Sequence, residues 1–267
     1  MNSSNSPSTA NLDNLRVVLV ATRNPLNIGA AARAMSNFGA AQLRVVNPYE
    51  IAFREARSAV GAAQLLANAK EYESVAESVA DCSLVIGTTA ATRRALQLEL
   101  RRLEGGARTI RRQFKTAPVA ILFGSEKVGL SNEDMSHCHW LMRIPTREDH
   151  GSMNLGQAVA VCLYELTRET KGAAGDKAAS RIANGRAQEE TTKAKAGDLE
   201  RLTQLLLDVL DASGYTKPGV ARATEEKLRR MLRRLRLSTG DAELWLGMLR
   251  QIQWKLDKNE EPNRSQG

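Results

Sequence analysis

Five apolar runs, each too short for a helix, constrain this chain most: RVVLV (Arg16 to Val20), QLRVV (Gln42 to Val46), SLVIG (Ser83 to Gly87), VAILFG (Val119 to Gly124) and WLMRI (Trp140 to Ile144). Runs this short and this rich in β-branched and apolar residues read as strands buried on both faces, the pattern of a parallel sheet. Helical patterns lie between them, at Ile28 to Phe38, Arg54 to Ala69, a weaker stretch near Ala76, a basic segment from Thr92, and Asn132 to Cys138. The alternation predicts an α/β fold, a parallel sheet with helices on both faces. Ligands of such sheets gather where the strands end, so the loops after the runs are where chemistry is expected.

The pattern stops after Glu169. Residues 171–197 are Gly, Ala and charge with almost no large apolar side chain, the composition of a linker. Beyond it, Leu202, Leu205, Leu206, Val209 and Leu210 recur at helical spacing. So do Leu228, Met231, Leu232 and Leu235, and then Trp245, Met248, Leu249, Ile252 and Leu256. These stripes predict a small helical extension over 198–267. The first thirteen residues are polar, without the apolar stretch of a secretory signal, and read as a disordered leader. The α/β domain is therefore expected over 14–170.

A net charge of +8 and a pI near 9.6 favour a polyanionic partner, nucleic acid or an acidic membrane surface. The charge concentrates in two runs. Thr92 to Arg112 carries seven arginines against two glutamates, and Ala221 to Arg236 six arginines and one lysine against two glutamates. In the second, Arg229, Arg230, Arg233 and Arg234 border the Leu228 to Leu235 stripe, which predicts a helix with one apolar and one cationic face, the latter suited to phosphates. No run approaches the roughly 18 to 20 apolar residues needed to cross a bilayer. Three scattered cysteines, Cys82, Cys138 and Cys162, form no disulfide framework and suggest a reducing, cytoplasmic setting.

Three loops carry candidate residues. After RVVLV comes NPLNIGAAARAMSNFG, where Gly29, Ala30, Ala31 and Ala32 open a helix to close approach by another backbone or a ligand, and Arg33 follows. After VAILFG comes FGSEKVGLSNED, a tight glycine turn presenting Glu126 ahead of a helix capped at Ser131 or Asn132. It is not a phosphate-binding P-loop, because Leu130 stands where that motif needs lysine, nor a nucleophile elbow, because Glu126 stands where that motif needs serine. After WLMRI comes IPTREDHGSMNLGQAVAV, in which Ser152 or Asn154 caps a helix; the adjoining Gly151, Ser152 and Asn154 exceed what capping requires and read as a binding loop. The run His137, Cys138, His139 is a poor metal site, because neighbouring side chains diverge on a helix or a strand. Without the elbow, a hydrolytic triad of Ser152, a histidine and Asp149 is equally weak.

The segments NIGAAARAMSNFGAAQLRVVNP, VAILFGSEKVGLSNEDMSHCH and IPTREDHGSMNLGQAVAVCLYE resemble, in order, the three motifs of the SPOUT-class RNA 2′-O-methyltransferases. The C-terminal stretches from Asp198 to Tyr215 and from Ala223 to Ile252 resemble the TrmJ-like tRNA methyltransferases, which act on nucleotide 32 of the anticodon loop. The resemblance implies a trefoil knot in the sheet's C-terminal part and S-adenosyl-L-methionine as cofactor. It implies cofactor contacts at Thr88, Thr89, Ala90, Gly124, Ile144, Gly151, Ser152 and Met153. It also implies roles in the reaction for Arg33, Ser152 and Asn154, with Glu126 holding Arg33 or the loop. The expected partners are tRNA and a second copy of the chain, with neither membrane nor DNA, and no metal is required. A ribosomal RNA methyltransferase of the same fold and a non-catalytic RNA-binding module are the competing readings.

Overall fold

The computed structural model describes residues 12–48, 61–90, 97–147, 152–168, 192–216 and 221–260. Strands β1 (Leu15–Val20), β2 (Gln42–Val46), β3 (Lys70–Tyr72), β4 (Leu84–Thr88), β5 (Leu100–Arg102), β6 (Val119–Phe123) and β7 (Trp140–Arg143) form one sheet in the order β3-β2-β1-β6-β4-β7-β5. Every adjacent pair is parallel. The helices are α1 (Pro25–Phe38), α2 (Ala63–Ala67), α3 (Val75–Ser78), α4 (Leu103–Gln113), α5 (Asn132–Ser136), α6 (Leu155–Thr167), α7 (Ala196–Ala212), α8 (Ala221–Leu235) and α9 (Thr239–Glu260).

Side chains alternate across the pleat, so each strand feeds two cores. Val17, Leu19, Ile86, Ile121 and Phe123 pack with Ile28 and Met35 of α1, Ile110 of α4, and Val159 and Leu163 of α6. Val18, Val20, Val85, Leu122 and Leu141 pack on the other face with Val75 of α3, Met135 of α5 and Ala196 of α7. The five expected strands are present within a residue or two. Strands β3 and β5 were not expected: each is three residues long, carries charge, and lies at a sheet edge, where no continuous apolar run is needed. Of the expected helix Arg54 to Ala69, Ala63–Ala67 is helical, and residues 54–60 lie outside the described set.

Helix α1 begins where Asn24 accepts from the Leu26 N–H at 2.9 Å, with Pro25 in the first turn. Its small residues serve α6. A Cβ on Gly156 would stand 2.5 Å from the Ala30 Cβ, so only glycine there lets the two helices close to backbone distance.

The expected faces of α8 are partly exchanged. Arg229 and Arg233 are 4% and 1% exposed, whereas Met231 and Leu235 are 38% and 50% exposed. Arg229 donates to Oε1 of Glu200 at 2.7 Å, pairs with Glu225 and reaches Oγ of Ser136 at 3.1 Å; Arg233 donates to the His137 carbonyl at 2.9 Å and approaches Glu200 at 3.4 Å. Two of the four arginines expected to face solvent therefore fasten α8 to α7 and to the end of α5. Guanidinium groups tolerate this because the carboxylate and a helix-terminal carbonyl satisfy their donors.

This network makes stability pH-dependent. Burial alone would raise the Glu200 carboxyl, but the Arg229 hydrogen bond and the charges of Arg229 and Arg233 outweigh it and hold it at about 2. Burial, then the charge of Arg233, pushes His137 and His139 down to about 3. Once unfolded, the histidines take up protons from about pH 6.5 and the carboxylate from about 4.5, so falling pH favours the unfolded chain. Stability is expected to be full above pH 6.5 and to decline toward pH 3, as urea unfolding across that range will show. Glu200→Gln leaves Arg233 buried without its counter-charge. It should cost about 3 to 5 kcal/mol at neutral pH and flatten the acid limb; a variant as stable as the parent contradicts the assignment.

Candidate functional site

The carboxyl ends of β4, β6 and β7 open into a cavity of about 670 Å³, within the size range of small-molecule sites. Thr88 lines it at the end of β4 with Thr89 and Ala90 just after, Gly124 and Glu126 after β6, Ile144 after β7, and Ser152 and Met153 ahead of α6; Leu130, Met135 and Met142 add apolar wall. Seven of the eight expected cofactor residues thus meet in one place, and Gly151 lies outside the described residues. Thr88 Oγ1 donates to the Leu122 carbonyl at 2.8 Å and the Thr89 N–H to the Met142 carbonyl at 3.0 Å, fastening the loop after β4 to the strands on either side.

The floor is a turn that folds back on itself. The Gly129 N–H donates to the Ser125 carbonyl at 2.8 Å, and Gly129 takes φ +69°, the left-handed region that favours glycine. A Cβ on Gly124 would lie 2.2 Å from the Gly129 carbonyl carbon and 2.3 Å from the Leu130 nitrogen. Backbone meets backbone there, with no flexible side chain to yield. Helix α5 follows, capped by Ser131, whose Oγ accepts from the Asp134 N–H at 3.0 Å while Asp134 accepts from the Ser131 N–H at 2.8 Å.

A hydrogen-bond chain joins the three loops. Asn154, not Ser152, caps α6: its Oδ1 accepts from the Gly156 N–H at 2.9 Å and the Gln157 N–H at 3.4 Å. That commits Asn154 Nδ2 as a donor, which reaches Asn27 Oδ1 at 2.7 Å, and Asn27 Nδ2 donates to Glu126 Oε1 at 2.9 Å. Backbone donors thus set the polarity of both amides, and the chain ends on a carboxylate, which only accepts. Ser152 makes no hydrogen bond to any described residue, so its hydroxyl on the cavity wall is available to a ligand.

Of the alternatives for Glu126, holding Arg33 or the loop, the described contact is on the loop's side: its carboxylate accepts from Asn27 at the start of α1 and not from Arg33. Arg33 is exposed, has no partner among the described residues and does not line the cavity; six residues beyond Asn27, it stands about 9 Å along α1 and well around its axis. Asn27 itself was missed. The sequence offers only a poor helix former in the first turn of a helix; its burial, 9% exposed, which calls for a specific polar partner, shows only in the fold. Among the neighbouring candidates, His139 is committed, with its Nδ1 accepting from the Val85 N–H at 3.1 Å.

The sequence pattern of the SpoU rRNA Methylase family matches residues 14–164. The chain belongs to the SpoU methylase family. It is 35% identical over 243 residues to the tRNA (cytidine/uridine-2'-O-)-methyltransferase TrmJ of Sodalis glossinidius (strain morsitans), covering 91% of this chain and 92% of that one. The protein of the same name from Cronobacter sakazakii is 36% identical over 252 residues, 94% of this chain and 100% of that one. Among solved structures, TrmJ from Z. mobilis ZM4 superposes with a TM-score of 0.73 at 30% identity, over 89% of this chain and 98% of that one. Both similarities run through the C-terminal helices as well as the SpoU segment.

The asparagine chain is testable without substrate. Asn27→Ala removes two hydrogen bonds and should cost about 1 to 3 kcal/mol. Asn27→Asp also sets a second carboxylate against Glu126 and should cost more at neutral pH. Denaturant unfolding ranks the two, and an aspartate variant more stable than the alanine variant sinks the proposed polarity.

Proposed function

We propose that the chain transfers a methyl group from S-adenosyl-L-methionine to the ribose 2′-hydroxyl of nucleotide 32 in the tRNA anticodon loop. The observation that carries this reading is the cavity joined to a fixed Asn154, Asn27 and Glu126 chain in a SpoU methylase whose likeness to TrmJ proteins extends over the C-terminal helices. Full-length likeness to proteins named for tRNA favours tRNA over ribosomal RNA, and the intact site favours an enzyme over a bare binding module. The SPOUT knot is part of the proposal, supported by β4 lying between β6 and β7 and by the backbone contact of Gly124 with Gly129 and Leu130. We assign 14–170 as the catalytic unit, 171–197 as the linker and 198–267 as an extension for tRNA binding and dimerisation.

The residues present fit the cofactor. Leu130, Met135, Met142, Ile144 and Met153 would offer apolar wall to its adenine, while Thr88, Thr89 and Ser152 and the backbone at Gly124 would hold its polar parts. When bound, it supplies an electrophilic methyl carbon on a positively charged sulfur. A ribose oxygen taking that methyl would form a C–O bond as the C–S bond breaks and would give up its own proton. Ser152 and Asn154 orient the hydroxyl and the loop beneath it. Arg33 contributes charge and position rather than a base, since a guanidinium stays protonated. Exposed and without a partner among the described residues, it is suited to the second subunit's site in a homodimer, and the exposed Met231, Leu235, Trp245, Met248 and Ile252 of α8 and α9 suit the apolar face of that dimer. Among the described residues no helix is long and apolar enough to cross a membrane, and the reading places the enzyme with cytoplasmic tRNA.

The test is methylation of bulk tRNA and ribosomal RNA, from cells lacking this gene, with labelled S-adenosylmethionine, followed by nuclease mapping. Label is expected as a 2′-O-methyl group at tRNA position 32; label in ribosomal RNA alone moves the substrate, and none in either contradicts the reading. Arg33→Ala should lower turnover by at least about 100-fold with cofactor affinity nearly unchanged. Turnover at the parent's level would refute its role.

A further inference from the structure

Away from the cavity, exposed cations from three distant segments meet at the amino edge of the sheet. Lys193 and Ser238 form a bridge, secured by the Ala194 N–H on the Leu237 carbonyl at 3.0 Å and the Thr239 N–H on the Thr192 carbonyl at 2.8 Å. The bridge sets Lys193 beside Arg236, which turns the chain from α8 into α9 at φ +51°. The Lys193 ammonium donates to Gln113 Oε1 at 2.8 Å, next to Arg112 in the last turn of α4. Gln113 in turn donates to Ser83 Oγ at 3.0 Å, one residue before β4 begins. The cluster therefore sits about 16 Å from the cavity, the length of that strand.

Arg112, Lys193 and Arg236 are all exposed, and none is ion-paired with a described carboxylate. Carboxylates on the adjoining segments are already engaged. Glu99 takes Arg101 through two contacts of 2.8 Å and feels Arg236 only as a more distant charge, Asp241 accepts from Ser238, and Asp198 serves the Lys195 N–H and Arg201. Partial burial, then the charges of Arg236 and Arg112, pull the Lys193 ammonium below its ordinary value, as expected where cations face one another. Holding like charges together costs free energy, and a polyanion laid across them relieves it with release of its counterions.

We infer that Arg112, Lys193 and Arg236 form a binding site for backbone phosphates of the RNA substrate, remote from the nucleotide that reacts. The inference rests on the RNA reading above and gives each basic run of the sequence one exposed residue in it, while Arg229 and Arg233 are spent inside the fold. It requires RNA that extends well past the target nucleotide, as a folded tRNA does.

The test compares the full-length parent with an Arg112→Gln, Lys193→Gln, Arg236→Asn triple variant, asparagine being tolerated at positive φ. Anisotropy of labelled tRNA is followed across a salt series, with calorimetric S-adenosylmethionine binding as the check on folding. The expected result is a loss of tRNA affinity of roughly tenfold or more, a salt slope shallower by about 2 to 3, and unchanged cofactor affinity. Lys193→Arg alone should keep the parent's slope. An unchanged slope in the triple variant overturns the site. So does saturable inorganic phosphate binding by the parent, lost in the triple variant while tRNA affinity holds, which marks a small-anion site. A parent that methylates no RNA overturns the functional reading instead.

Discussion

The site depends on a line of hydrogen bonds whose direction is set at one end. Two free N–H groups of the first turn of α6 demand an acceptor, Asn154 supplies it, and the remaining amide protons then have one way to point, through Asn27 to Glu126. The line joins three segments whose ends, Asn27 and Asn154, are 127 positions apart in sequence, so it exists only if the backbones approach closely. Gly156 against Ala30 provides that approach between α6 and α1, while Gly124 against Gly129 folds the turn that carries Glu126. Small residues and polar residues in these motifs are thus two halves of one requirement: the former bring the loops together, and the latter lock them in one geometry.

The same reasoning accounts for the C-terminal helices. Their attachment is ionic as well as apolar: Arg229 and Arg233 reach through α8 to Glu200 and to the end of α5, the helix that follows the cavity's glycine turn. Met135 of that helix is part of the cavity wall. The helices proposed to carry RNA and the wall proposed to carry cofactor therefore share one short, tightly held element.

The sheet was legible because buried parallel strands leave no choice of residue, and RVVLV or VAILFG admits few other readings. The edge strands Lys70–Tyr72 and Leu100–Arg102 were not, since a strand covered on one side only needs no apolar run. Helix α8 misled for a physical reason: periodicity treats every arginine as a solvent-facing group and cannot register that Glu200, on another helix, neutralises Arg229 and Arg233. The cavity residues were found through the resemblance and the loop positions after strands. Asn27 was overlooked because its role lies in a contact with Asn154, 127 positions away.

The central claim is that the glycine-floored cavity at the carboxyl edge holds S-adenosylmethionine, and calorimetric titration of the cofactor into the parent and a Gly124→Ala variant tests it most directly. One saturable site in the parent, lost or weakened at least about tenfold by the added methyl group, whose carbon has no room between Gly129 and Leu130, is the result the account predicts. A parent that gives no binding heat, or a folded variant that binds as tightly as the parent, would contradict it.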